Sequence, residues 1–130
     1  MPPTILVIDD FASVRLYHMS FLDRKGYNCL GAADGSEAIR IMEQQTIDVI
    51  LLDLMMPGMN GDAFVAQISE NPSWTRIPIL VVTSERELAK AIFWGANRRI
   101  GVLEKPVTPG PLLASVKDLI TGAFVANSAG

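Results

Sequence analysis

Five side chains able to do chemistry sit just after short apolar runs in this sequence. Asp9 and Asp10 follow Ile5-Leu6-Val7-Ile8, and Asp53 follows Val49-Ile50-Leu51-Leu52. Thr83, with Ser84 beside it, follows Ile79-Leu80-Val81-Val82, and Lys105 follows the run 100–104. Taken singly, each has an ordinary structural use. An aspartate after a strand forms a turn or caps a helix, a Thr or Ser there caps the next helix, and a Lys-Pro pair makes a loop. Taken together, they make a set that could hold a hard cation and manage the charge of a phosphoryl group. Two carboxylates 4 Å apart repel by about 4 kcal/mol at an effective dielectric of 20, so three that meet must take up protons or cations. Lys105 offers one positive charge. Mg²⁺, which favours carboxylate, carbonyl and water oxygens in octahedral array, offers two more. Three aspartates, Lys105 and Mg²⁺ then sum to zero, a centre prepared for a dianionic phosphoryl group.

Whether these groups meet depends on the elements that carry them. The run 5–8 is β-branched and short, as in a strand buried on both faces of a parallel sheet. Val14, Tyr17, His18, Phe21 and Leu22 recur at helical spacing, with Ser13 as the cap and Gly26 as the stop. Residues 28–33 form a weaker second strand. Asp34, three residues before Glu37, opens a second helix that turns Ala38, Ile41 and Met42 inward. The third strand is 49–52. A Pro- and Gly-containing loop over 56–61 leads to a helix with Phe64, Val65 and Ile68, broken at Asn71-Pro72-Ser73. The fourth strand, 79–82, is followed by a short helix over 85–94 stopped by Gly95. The fifth strand, 100–104, is followed by a helix opened by Pro109 and carrying Leu112, Leu113, Val116, Leu119 and Ile120. Residues 126–130 are small and polar and form a frayed tail after a single domain over 1–125.

Five βα units in one short chain imply an α/β fold, a five-stranded parallel sheet flanked by helices on both faces. The common strand order at this size is 2-1-3-4-5, the flavodoxin-like arrangement. All strand C-termini then share one edge, where ligands bind at the switch point. Strands one and three are neighbours in that order, so all five chemical groups are expected in one crevice.

The remaining composition narrows the class. The chain has 130 residues, about half of them apolar, and a net charge of −3. That length suits one domain with its own core. The charge argues against a grip on nucleic acid, which relies on Lys and Arg neutralising phosphates. The lone cysteine, Cys29, rules out an internal disulfide and fits a reducing, cytoplasmic setting. There is no signal-peptide pattern at the N-terminus and no apolar stretch long enough for a membrane span.

The elements Val7-Ile8-Asp9-Asp10, Leu52-Asp53-Leu54-Met55-Met56-Pro57-Gly58-Met59-Asn60-Gly61, Val82-Thr83-Ser84 and Lys105-Pro106 together resemble the receiver domain of two-component response regulators. The likeness extends from Ile5 to about Ile120, and Asp9 to Arg15 is similar to the chemotaxis regulators within that family. The resemblance implies that Asp53 accepts a phosphoryl group from a histidine kinase or phosphotransfer protein. Asp10 and Asp53 would ligate Mg²⁺ directly, Asp9 mainly through water, and the Met55 backbone carbonyl would complete the protein ligands. Lys105 would contact the phosphoryl group, and Thr83 would turn inward to bond one of its oxygens. Met55 and Glu85 would flank the site, and the Lys105-Pro106 bond would be cis. The expected function is a switch in the binding of a downstream protein target, by a monomer or a phosphorylation-dependent dimer, with no enzymatic activity beyond self-phosphorylation and autodephosphorylation.

The chain departs from the family pattern in two places. Where receivers often carry Tyr or Phe three residues before the lysine, it has Val102. The Gly-Ala pair that usually precedes the fifth strand stands early, at Gly95-Ala96, so the fourth helix is expected to be short and followed by an irregular segment, Asn97-Arg98-Arg99. Arg98 and Arg99 read either as partner-specificity residues or as a solvated basic turn. His18 is expected to lie away from the strand ends in a structural role, Cys29 in the core, and Trp74 and Trp94 in packing. Two other functions compete. A pseudo-receiver would act by interaction alone, which Val102 favours and the intact acidic set disfavours. A phosphatase of the haloacid dehalogenase type wants an acid/base aspartate two residues after the nucleophile, where this chain has Met55.

Overall fold

The computed structural model describes residues 2–54, 61–93 and 98–122. Five strands alternate with five helices: β1 (Thr4–Ile8), α1 (Ala12–Arg24), β2 (Asn28–Ala32), α2 (Gly35–Gln44), β3 (Val49–Asp53), α3 (Gly61–Ser69), β4 (Ile79–Thr83), α4 (Arg86–Ile92), β5 (Ile100–Glu104) and α5 (Pro109–Thr121). All neighbouring strands run parallel, in the order β2-β1-β3-β4-β5. This is the expected doubly wound sheet, with β1 and β3 side by side at its switch point.

β1, β3 and β4 are short because each is a buried apolar run that ends where its sequence turns polar. Every residue of β3 and β4 is buried. Alternate residues feed opposite faces, the period of an extended chain. Leu6, Ile8, Ile50, Leu52, Ile79 and Val81 pack under α2, α3 and α4, with Met42, Phe64, Ile68 and Ala89. Ile5, Val7, Val49, Leu51, Leu80 and Val82 pack under α1 and α5, with Leu22, Leu112, Val116 and Leu119.

The helix ends follow local chemistry, with one correction. The Asp34 side chain accepts from Glu37 N–H at 2.8 Å, and Glu37 Oε1 accepts from Ala33 N–H at 2.9 Å, a reciprocal cap on α2. Pro109 opens α5 as expected. Ser13 is not the cap of α1. The helix starts at Ala12 after Phe11, which makes no side-chain cap bond. Asp9 Oδ1 takes the Phe11 N–H instead, at 2.9 Å, so the turn closes two residues earlier than Ser13 would allow. Helix α1 ends at Arg24, and Gly26, two residues on, has a φ of 96° that favours glycine.

Arg98 and Arg99 are neither a free recognition surface nor a solvated turn. Arg98 donates to the Trp74 and Ile77 carbonyls at 2.9 and 2.8 Å and to Ser69 Oγ at 2.8 Å. Burial lowers its pKa from the ordinary guanidinium value. In the turn between α3 and β4 the Trp74 carbonyl also accepts from Ile77 N–H at 3.3 Å, and Arg98 adds side-chain donors to it and to the Ile77 carbonyl. Arg99 is also half-buried and lies against Gly122 at the end of α5. Trp74 packs on the core as expected, and helix α4 is short, with Phe93 closing it. Trp94, Gly95, Ala96 and Asn97 lie outside the described residues, as do the domain boundary expected at residue 125 and the tail.

Candidate metal centre and phosphoacceptor site

The parallel sheet brings the expected side chains to one edge because each ends its strand or immediately follows it. The ladder continues one residue past three strands. Asp9 N–H donates to the Ala32 carbonyl at 3.1 Å, Leu54 N–H to Val82 at 3.1 Å, and Lys105 N–H to Thr83 at 2.9 Å. These bonds fix the backbone that carries the chemistry.

Asp9, Asp10 and Asp53 each offer a carboxylate oxygen, and the three oxygens lie within 4.8 Å of one another. Asp9 and Asp53 are buried and Asp10 is exposed. Lys105 Nζ donates to Asp53 Oδ1 at 3.2 Å, from a side chain that is 37% exposed against 5% for its partner. The ammonium therefore enters the pocket from the solvent side. Burial raises the pKa of Asp9, and the Asp53 and Asp10 charges add to this. The Phe11 N–H bond and Lys105 oppose it. The pocket thus holds more negative charge than its own groups neutralise. Three hard oxygen donors around a shared gap suit Mg²⁺ far better than a soft metal.

Thr83 is fully buried, and its Oγ1 accepts from Glu85 N–H at 2.9 Å, tying the end of β4 to the start of α4. Val102, opposite Val81 in the β4–β5 register, is half-buried beside the α2–α4 core. The Lys105-Pro106 bond is cis, as expected. Glu85 is exposed. Gly61 opens α3 where the Leu54 side chain already fills the space a Cβ would need. Met55, the remaining expected ligand, lies outside the described residues with the rest of its loop through Asn60.

His18 is packed in a structural role, as expected. It is buried on α1, with its ring 5.7 Å from that of Tyr17. Burial is the main cause of its lowered pKa. Sequence reasoning passed over Arg15. Its Nη1 donates to the Asp9 backbone carbonyl at 2.6 Å. The only signal was its spacing of six residues from Asp9 across a strand-to-helix turn.

The family model described as the response regulator receiver domain matches residues 5–117. The chain belongs to that family. Among curated relatives, it is 29% identical over 119 residues to the protein PilH of Pseudomonas aeruginosa, covering 91% of this chain and 98% of PilH. It is 34% identical over 129 residues to the transcriptional regulatory protein ResD of Bacillus subtilis, covering 95% of this chain and 52% of ResD. The chain therefore spans nearly all of one relative and about half of the other. Among solved structures, it is similar to the chemotaxis protein CheY4 of Vibrio cholerae, with a TM-score of 0.85 and 31% identity over 92% of this chain and 99% of that one. A response regulator from Chloroflexus aurantiacus gives a TM-score of 0.84 at 28% identity, over 93% of this chain and 99% of that one. Receivers of two-component systems interact with histidine kinases or phosphotransfer proteins, so this receiver joins the same class of signalling. Among the described residues, no helix is long and apolar enough to cross a membrane.

Proposed function

We propose that this receiver is a phosphoacceptor module of a cytoplasmic phosphorelay, taking a phosphoryl group onto Asp53. One observation carries the reading: a buried carboxylate with two further carboxylates beside it and an ammonium on its own oxygen. Asp10 and Asp53 are the proposed direct Mg²⁺ ligands, with the Met55 carbonyl, and Asp9 acts mainly through water. When bound, Mg²⁺ supplies neutralisation for charge on the phosphoryl oxygens.

An Asp53 carboxylate oxygen attacks phosphorus in a donor phosphohistidine. The O–P bond forms as the N–P bond breaks, and the electron pair leaves with the imidazole nitrogen. Lys105, already on Asp53 Oδ1, follows the charge onto the phosphoryl oxygens, and Thr83 offers a hydroxyl to one of them. The chain's contribution is positioning and charge stabilisation. The product is a mixed anhydride, which water hydrolyses, so the signal is transient and no other catalysis is assigned. A protein donor is favoured by the apolar side chains of Phe11, Val14 and Tyr17, which stand exposed beside and along α1 next to the acidic residues. With Val102 in place of an aromatic ring, output runs through Thr83 and the start of α4.

Mixing the protein with acetyl phosphate and Mg²⁺ and weighing it tests the reading. A single phosphoryl adduct is expected, lost in Asp53→Asn and lost when EDTA removes the metal. Absence of an adduct across several small donors and phosphohistidine proteins would instead favour an interaction module that never carries phosphate.

A further inference from the structure

Arg15 reaches back from α1 to the Asp9 backbone carbonyl, at 2.6 Å. That carbonyl belongs to the peptide unit joining Asp9 to Asp10. Two further bonds hold Asp9: its N–H donates to the Ala32 carbonyl at 3.1 Å and its Oδ1 accepts from Phe11 N–H at 2.9 Å. The guanidinium bond adds control of the plane of the Asp9–Asp10 peptide. Rotation of that plane would swing the exposed Asp10 carboxylate away from the other two.

A second feature serves the same contact. The Arg15 stem crosses β2 over Gly31, where a Cβ would come within 3.2 Å of Arg15 Cδ and 2.7 Å of Met19 Sδ. The missing side chain at position 31 leaves the track along which the arginine reaches the pocket.

We propose that Arg15 is a positioning residue, holding the Asp9–Asp10 peptide so that both carboxylates face a divalent cation before the cation arrives. The proposal rests on the Mg²⁺-dependent reading above. It also has a distinctive sign. Arg15 is a cation beside an acidic pocket, so by charge alone its removal should tighten Mg²⁺ binding. By positioning, its removal weakens binding, because a disordered ligand must be ordered by the metal.

Magnesium titrations of the full chain by calorimetry, for wild type, Arg15→Gln and Gly31→Ala, separate these effects. Arg15→Gln is expected to raise the Mg²⁺ Kd about tenfold, the scale for losing a group that orients a metal ligand, with the circular dichroism spectrum unchanged. Its phosphorylation by acetyl phosphate should need correspondingly more Mg²⁺ for half-maximal rate yet reach the wild-type rate at saturation. Gly31→Ala keeps the guanidinium but crowds its stem, and should shift the Kd in the same direction. An unchanged or lower Kd in Arg15→Gln overturns the proposal. If that variant fails to fold, an unchanged or lower Kd in Arg15→Met, which keeps the aliphatic stem over Gly31, overturns it. Wild-type protein that binds no Mg²⁺ removes the underlying reading, and the proposal with it.

Discussion

Asp9 shows how the acidic pocket trades stability for readiness to bind. Its folded pKa is raised, first by burial, so its contribution to stability belongs to the protonated form. That contribution is fully present below the unfolded pKa and is lost as pH rises through the folded one. Metal-free protein should therefore lose some of this contribution as pH rises from below the ordinary carboxylate value of 3.8 to neutrality. Asp9→Asn, whose amide oxygen can still accept the Phe11 N–H, should flatten that stretch. At neutral pH it should stabilise the metal-free protein by on the order of 1 kcal/mol, the scale of a solvent-screened like-charge contact. Urea denaturation at the two pH values, with and without Mg²⁺, checks this. With Mg²⁺ the advantage should shrink or reverse, since wild type has the stronger ligand set. At this scale much was legible. Asp9, Asp10, Asp53, Thr83 and Lys105 could be read because each ends or follows an apolar run, and a parallel sheet sends all such ends to one edge. Arg15 could not be placed, because it acts on a backbone carbonyl.

At the scale of elements, the pattern was legible where a local rule decides. The Asp34 and Glu37 cap and Pro109 at the start of α5 depend on residues within one turn, and both appear as read. Ser13 failed because the competing acceptor, Asp9, belongs to the preceding strand end. Arg98 failed for a related reason: two adjacent arginines near glycines look solvated until the carbonyls of another turn, which Arg98 bonds, are seen. Because Arg98 serves Trp74, Ile77 and Ser69 together, Arg98→Met should keep the aliphatic stem yet leave these acceptors short of donors. The expected loss is about 1–3 kcal/mol, measured by urea denaturation. An equivalent change at Lys117, exposed on α5, should cost within about 0.5 kcal/mol.

For the whole molecule, alternation of short apolar runs with amphipathic segments was enough to give the layers, and the handedness of crossovers restricted the strand order. Burial on both sides of β3 and β4 explains why no polar alternation marks those strands. That architecture distributes security unevenly. β3 lies in the middle of the sheet, while α4 has seven residues, buries Ala89 and leaves Leu88 and Ile92 exposed. Its N-cap, Glu85, gives no side-chain bond, so the Thr83 hydroxyl on Glu85 N–H is the anchor at that end. A helix this short has little stability of its own. Amide deuterium exchange should therefore be fast at Ala89 and Phe93, whose N–H groups bond within α4, and slow at Ile50, whose N–H bonds the Pro78 carbonyl beside it. The region expected to open first under native conditions is then tied through Thr83 to the edge that carries the proposed phosphoacceptor, and only a small free energy is needed to redistribute its open and closed forms.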